Sequence, residues 1–151
     1  MGLEIGKLYV RRSIFIEASP ARVWKEFESF DRLSLWLNLG HTLHEFDTEV
    51  GGNVKMSVNV EGKDRFYGGT VLVFDPEREI SFESQWQKPY DWPVPTLWTI
   101  QLTPLYDGTN VELFHHGFER LGLAAAGNLE AYEEGWDVKH LKALRVLSEN
   151  G

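Results

Sequence analysis

Cysteine is absent from the 151 residues. No disulfide can staple the chain, and no thiol can serve as nucleophile or metal ligand. Basic residues are the scarcer charge: 15 Lys and Arg stand against 23 Asp and Glu, for a net charge of -8. Nucleic acid or an anionic membrane would need a basic face, so this balance argues against both as partners. Long apolar runs are missing as well. Residues 1–12 lack the apolar core of a signal peptide, and no segment is long enough to span a bilayer. The cytoplasm is the expected compartment. Aromatic side chains, by contrast, are abundant at 13% of the chain, with six tryptophans. So many rings either fill a core or wall an apolar cavity.

The clearest helical pattern lies at residues 128–151. Asn128 suits an N-cap, because its side chain can accept a bond from an orphaned helix N–H. Glu130, Glu133 and Glu134 come early and Lys139, Lys142 and Arg145 late, the order that the helix macrodipole favours. At about 100° per residue, Leu129, Tyr132, Trp136, His140, Ala143 and Leu147 share one side, with Glu133 and Leu144 at its edge. The pattern predicts one long amphipathic helix, on the order of 30 Å.

Ahead of it the chain reads mostly as strand. Residues 8–17 alternate and are rich in Val, Ile and Phe. Ser19-Pro20 starts a short helix, with Ser as cap and Pro in the first helical position; Val23, Trp24 and Phe27 form its apolar face. Asp31 can cap a second short helix bearing Leu33, Leu35, Trp36 and Leu37. Strands follow over residues 41–50, 54–61, 65–74, 80–86, 96–105 and 109–118. Turn signals separate them: Gly51-Gly52, Gly62-Lys63-Asp64, Asp75-Pro76 and Asp107-Gly108. Gly68-Gly69 marks a bulge or bend. Residues 87–95, with three prolines, Tyr90 and Trp92, form a loop. Residues 119–127 read as a loop or a frayed helix start.

Short turns imply antiparallel pairing. Strands in a block with helices at fixed places imply an α+β fold. The expected architecture is a curved antiparallel sheet of about seven strands with two short helices after the first. The long C-terminal helix packs across the sheet with a cavity between. The length favours a single domain over residues 1–151.

Several local pieces occur in a fixed order. They are Ser19-Pro20-Ala21-Arg22-Val23-Trp24; Trp36; Asp47 with Val50-Gly51-Gly52; and Gly69-Thr70-Val71 through Asp75-Pro76. Gly108-Thr109 with Val111, Leu113, His115 and Gly117-Phe118 follows, then Gly135-Trp136. This set resembles the START-like (SRPBCC, or helix-grip) superfamily, which includes the birch-pollen-allergen type and polyketide cyclases. Within it the chain is most similar to the heat-shock-protein-90 ATPase activator homologue family. The resemblance covers nearly the whole chain and implies the helix-grip fold. Two positions depart from it. Glu49 stands where members often carry arginine, and Ser84 where an aromatic is common, with Trp86 two residues on. Both departures imply a cavity with its own lining.

Chemistry-bearing motifs are few. His115 and His116 are adjacent on a strand and point to opposite faces, as do His41 and His44 on a regular strand. Neither pair can share a metal, and no metal site or cofactor is expected. There is no Gly-x-Ser-x-Gly and no triad order. The glycine pairs are not followed by helices, so they are not phosphate loops. No residue is assigned as catalytic.

The candidate binding residues are inward-facing ones: His115 and Leu113 on one strand face, Trp86 and Trp98 on neighbouring strands, and Glu133, Trp136 and His140 on the helix. Each has a structural reading beside the functional one. His115 is a core histidine bonded to a backbone carbonyl, or a polar anchor for a ligand. Glu133 and His140 sit at the rim, or face the cavity and need each other or a ligand. The tryptophans are core or ligand stackers, and Trp92 suits an entrance lid.

Three functions follow. The first is binding of a small apolar or aromatic molecule between sheet and helix. The second is a polyketide cyclase or aromatase-like enzyme using His115, Glu133 or His140 as acid or base. The third, implied by the family resemblance, is a co-chaperone that touches a chaperone. The eukaryotic activators carry a further N-terminal domain that is not expected here. A monomer or homodimer is anticipated.

Overall fold

The computed structural model describes residues 4–135 and 138–150, apart from the side chains of residues 133–135. Seven strands build the sheet: β1 (Tyr9–Ile16), β2 (Thr42–Phe46), β3 (Asn53–Val60), β4 (Lys63–Asp75), β5 (Glu79–Trp86), β6 (Thr96–Leu105) and β7 (Gly108–His116). Their spatial order is β1-β7-β6-β5-β4-β3-β2, with every neighbouring pair antiparallel. The meander from β2 to β7 follows from the short turns. Strand β1 lies beside β7, which leaves the curved sheet open, with β1 and β2 at its edges.

Alternation gives the sheet an inner face. In register across it, Ile14 meets Val111, Val111 meets Leu102, Leu113 meets Ile100, and Ile100 meets Ile80. These join Val54, Met56, Val71 and Phe82 in the main core.

Two strands end earlier than the alternation suggests. At β2 the cause is Asp47, whose Oδ2 accepts the Asn53 N–H at 3.0 Å and turns the chain. At β7 it is Gly117, at φ 86, a left-handed conformation that glycine adopts freely. The expected bulge at Gly68-Gly69 lies elsewhere: the β4–β5 register shifts between Val71 and Val73. Gly68 serves close approach instead, since a Cβ there would collide with the Val54 carbonyl.

Helix α1 (Pro20–Trp24) starts at the Ser19 cap, whose Oγ accepts the Arg22 N–H at 3.2 Å. A 3₁₀ turn (Lys25–Phe27) continues it, and Trp24 stacks on Phe27 with ring centroids 4.9 Å apart. Helix α2 (Phe30–Leu33) is capped by Ser29, not by Asp31. The extended backbone of Ser29 lets its hydroxyl reach the Arg32 N–H, whereas Asp31 is already inside the first turn. Replacing Ser19 with Ala is expected to cost about 1 kcal/mol in a urea denaturation experiment, the usual worth of such a cap.

The end of the chain departs from the single helix expected. A 3₁₀ stretch (Phe118–Ala124) leads into α3 (Ala125–Gly135), and α4 (Lys139–Asn150) follows. Asn128 is no cap: it sits inside α3, where its Nδ2 donates to the Ala124 carbonyl at 2.9 Å. Because the helix is described in two segments, an angular count begun at Leu129 does not carry into α4. There the buried residues are His140, Leu141, Leu144 and Ser148, while Ala143 and Leu147 are half-buried. Leu141 and Leu144 join the main core; Ala125, Leu129 and Tyr132 of α3 pack instead with Val10, Phe118, Leu121 and Trp92. Arg22 ties α1 to α4, donating to Glu26 Oε2 at 2.7 Å and to the Leu147 carbonyl at 2.8 Å.

Candidate functional site

Between the inner sheet face and the C-terminal helices lies a cavity of about 260 Å³. Strand alternation aims Tyr67, Ser84, Trp86, Trp98 and His115 into it from β4 to β7. Ala131 and Tyr132 of α3, Lys139 and His140 of α4, and His41 just before β2 complete the lining.

Five residues singled out from the sequence therefore meet in one cavity: Ser84, Trp86, Trp98, His115 and His140. Leu113 does not line it; it is buried in the main core beside Ile100. Trp136 and the side chain of Glu133 lie outside the described residues. Glu49, expected to mark the lining, is exposed in the β2–β3 connection. Sequence reasoning gave no site role to His41, Tyr67, Tyr132, Ala131 or Lys139. For Tyr67 the signal was alternation, since it pairs with Met56 on one side and Trp86 on the other. His41 carried no local signal, because its place depends on the tertiary contact with Tyr67.

The polar atoms of the lining are specifically paired. Thr96 Oγ1 donates to the Ser84 carbonyl at 3.1 Å, so it accepts from His115 Nε2 at 2.7 Å. The expected partner of His115, a backbone carbonyl, is thus replaced by a threonine hydroxyl. The His115 ring also packs against Trp98, Phe118 and Tyr132, with centroids 5.5, 4.7 and 4.6 Å away. Burial, and then the nearby His116, lowers its pKa to about 3. His41 Nδ1 and Tyr67 Oη are 2.6 Å apart. Burial, followed by the charges of His140 and Lys139, lowers His41 to about 4. His140 donates from Nδ1 to the Trp36 carbonyl at 3.0 Å. Trp86 Nε1 donates to Tyr132 Oη at 2.7 Å, and burial pushes that phenol up to about 12. Burial raises the Tyr67 phenol too. At neutral pH, His41, His115, Tyr67 and Tyr132 are therefore all uncharged.

A shallower hollow of about 330 Å³ shares His41, Trp86 and Tyr132 with the cavity. Trp86 and Tyr132, joined by their hydrogen bond, thus line both spaces. Tyr90 and Trp92 border the outer one, with Tyr90 against Trp86 and Trp92 against Tyr132 at centroid distances of 5.3 and 6.3 Å.

The remaining histidines serve the other sheet face. His116 Nδ1 accepts the Gly6 N–H at 2.9 Å, so its Nε2 donates to Thr99 at 2.7 Å. Thr99 bonds Ser81, and Ser81 donates to Glu79 at 3.1 Å. His44 bonds Ser57 at 2.7 Å. Among the described residues, no group of three or more His, Cys, Asp or Glu is placed to hold a metal, and no helix is long and apolar enough to cross a membrane.

A curved antiparallel sheet closed by a C-terminal helix, with a cavity between them, defines the helix-grip, or START-like, class. Residues 17–149 match the family model described as Activator of Hsp90 ATPase homolog 1-like protein, and the chain belongs to that family. No curated protein matches the sequence. Among solved structures, protein CV1439 from Chromobacterium violaceum is 26% identical, with a TM-score of 0.71 over 94% of this chain and 97% of that one. A protein from Arthrobacter aurescens shares 16% identity at a TM-score of 0.72, covering 100% of this chain and 94% of its own. The Aha1 dimer from Colwellia psychrerythraea shares 18% identity at 0.62, over 93% and 96% of the two chains. The last two likenesses bear on fold alone.

Proposed function

We propose that this protein binds one small, largely apolar aromatic molecule in the cavity between its sheet and its C-terminal helices. The observation that carries this reading is the lining, in which Tyr67, Trp86, Trp98 and Tyr132 surround about 260 Å³. An engineered apolar cavity of about 150 Å³ takes benzene, so this space suits a molecule of one or two rings. Aromatic walls favour such a guest through edge-to-face and offset contacts. His41, His115, Tyr67 and Tyr132 are neutral and internally bonded, so they place little demand for charge on it.

Titration with a panel of one- and two-ring aromatics, followed through tryptophan emission, tests the reading. Trp86 and Trp98 line the cavity, so the expected result is a saturable change at micromolar strength for some members. A flat response across the whole panel overturns it.

One observation supports a cyclase-like enzyme as a second reading. The His41–Tyr67 pair and His140 line the same cavity, so proton donors and acceptors lie around one guest. Under that reading a bound polyketone is converted, and His41→Ala slows conversion far more than it weakens binding. Association with a chaperone is the reading that the family description adds, and a purified-component binding assay with Hsp90 addresses it.

A further inference from the structure

The cavity's polar groups form an almost closed set. Tyr67 bonds His41, Trp86 bonds Tyr132, and His140 bonds the Trp36 carbonyl. Thr96 spends its hydrogen on the Ser84 carbonyl and its lone pair on His115. Trp98 and Lys139 are engaged by further interactions. The Ser84 side chain stands outside these bonds, as does the hydrogen of the Tyr132 hydroxyl, which accepts from Trp86. Ser84 lines the cavity and is only 3% exposed, yet the hydrogen bond at this residue runs through its carbonyl and not through its hydroxyl.

A hydroxyl on the wall of a cavity, outside the protein's own hydrogen bonds, is open to a bond with whatever fills that cavity. Position also matters. Ser84 stands two residues before Trp86 on β5, and β5 pairs with β6, the strand of Trp98. Its small side chain leaves room among the aromatic rings that line the cavity.

We infer that Ser84 is the specificity-determining residue of the cavity, hydrogen-bonding an oxygen on the aromatic guest. The inference rests on the binding function proposed above and narrows its ligand class. The guest is an aromatic molecule carrying a hydroxyl or carbonyl oxygen at one edge, not a plain hydrocarbon. The serine hydroxyl both donates and accepts, so it serves a phenol or a ketone. The apolar rings hold the body of the guest, and Ser84 fixes which edge faces the sheet.

The experiment uses 2-naphthol and 2-methylnaphthalene, which match in ring system and size and differ in the hydroxyl. Binding of each to wild type, Ser84→Ala and Ser84→Phe is measured by equilibrium dialysis. Ser84→Ala removes only the hydroxyl. It is expected to weaken 2-naphthol about three- to tenfold, the worth of one net hydrogen bond, and to leave 2-methylnaphthalene within about twofold. Ser84→Phe fills the room that serine leaves and is expected to abolish binding of both. If Ser84→Ala changes neither probe, or weakens both equally, the hydroxyl has no role in recognition and the inference falls while the cavity reading stands. If neither probe binds the wild-type protein, or if Ser84→Phe binds both unchanged, the cavity reading falls with it.

Discussion

Acidification from about pH 7 to about pH 4 is expected to remove on the order of 3 kcal/mol of stability through His115 alone. The residue is 1% exposed, donates to Thr96 and sits among three aromatic rings. Burial holds its pKa at about 3 in the folded protein, against 6.5 ordinarily. Between these two values the unfolded chain carries a proton that the folded chain lacks. Stability therefore rises with pH across that window. The contribution is whole above about pH 6.5 and disappears as the pH falls toward the folded value. His41 and His116, both lowered to about 4, act in the same direction. Urea denaturation at several pH values reads the slope. His115→Gln keeps a donor for Thr96 but cannot titrate, so it should flatten the dependence. A midpoint that does not move between about pH 7 and about pH 4, or an unchanged slope in the variant, would refute the assignment.

Replacing Leu144 with Ala is expected to cost about 2–5 kcal/mol. Leu144 is fully buried and packs in the main core with Leu141 and the inner sheet face. Truncation removes apolar contact and leaves a cavity that the α4 backbone can close only in part. Leu147, one turn further on, is only partly buried at the margin of that core. Leu147→Ala should cost about half as much, because less of its surface leaves water on folding. The comparison decides how α4 is rotated on the sheet. A Leu147→Ala cost above that of Leu144→Ala would place the wrong face of α4 inward. Both variants keep the Leu147 carbonyl that accepts from Arg22, so the link from α1 to α4 stays constant.

The rotation of α4 shows where sequence reading stops. Periodicity placed Leu147 and Ala143 on the buried side and Leu144 at its edge. That count assumed one unbroken helix from Asn128, whereas α3 ends at Gly135 and α4 starts at Lys139. A small error in phase, carried across such a boundary, moves the centre of a helix face by a residue or more. The strands were more forgiving. Their period is two, so an inward residue is identified by parity alone. His115 was found in this way, and it lines the cavity together with Trp86 and Trp98. Leu113 shares their face, but it sits further along β7, opposite Ile100 in the core. Parity gives the face and not the depth.

The alternation of apolar residues, the turn signals between strands and the Ser19-Pro20 helix start by themselves determined the antiparallel α+β architecture of this chain. Each of those signals is local, since it acts between residues a few positions apart and survives whatever the rest of the chain does. The tertiary structure alone decided which residues share the cavity. His41 reaches it through Tyr67, 26 positions away, and Trp86 through Tyr132, 46 positions away. Such pairings exist only once sheet curvature and helix placement bring the segments together. The same holds for Ser84. In sequence it is a departure from the family pattern, and only the folded chain sets its side chain on the cavity wall outside the surrounding hydrogen bonds.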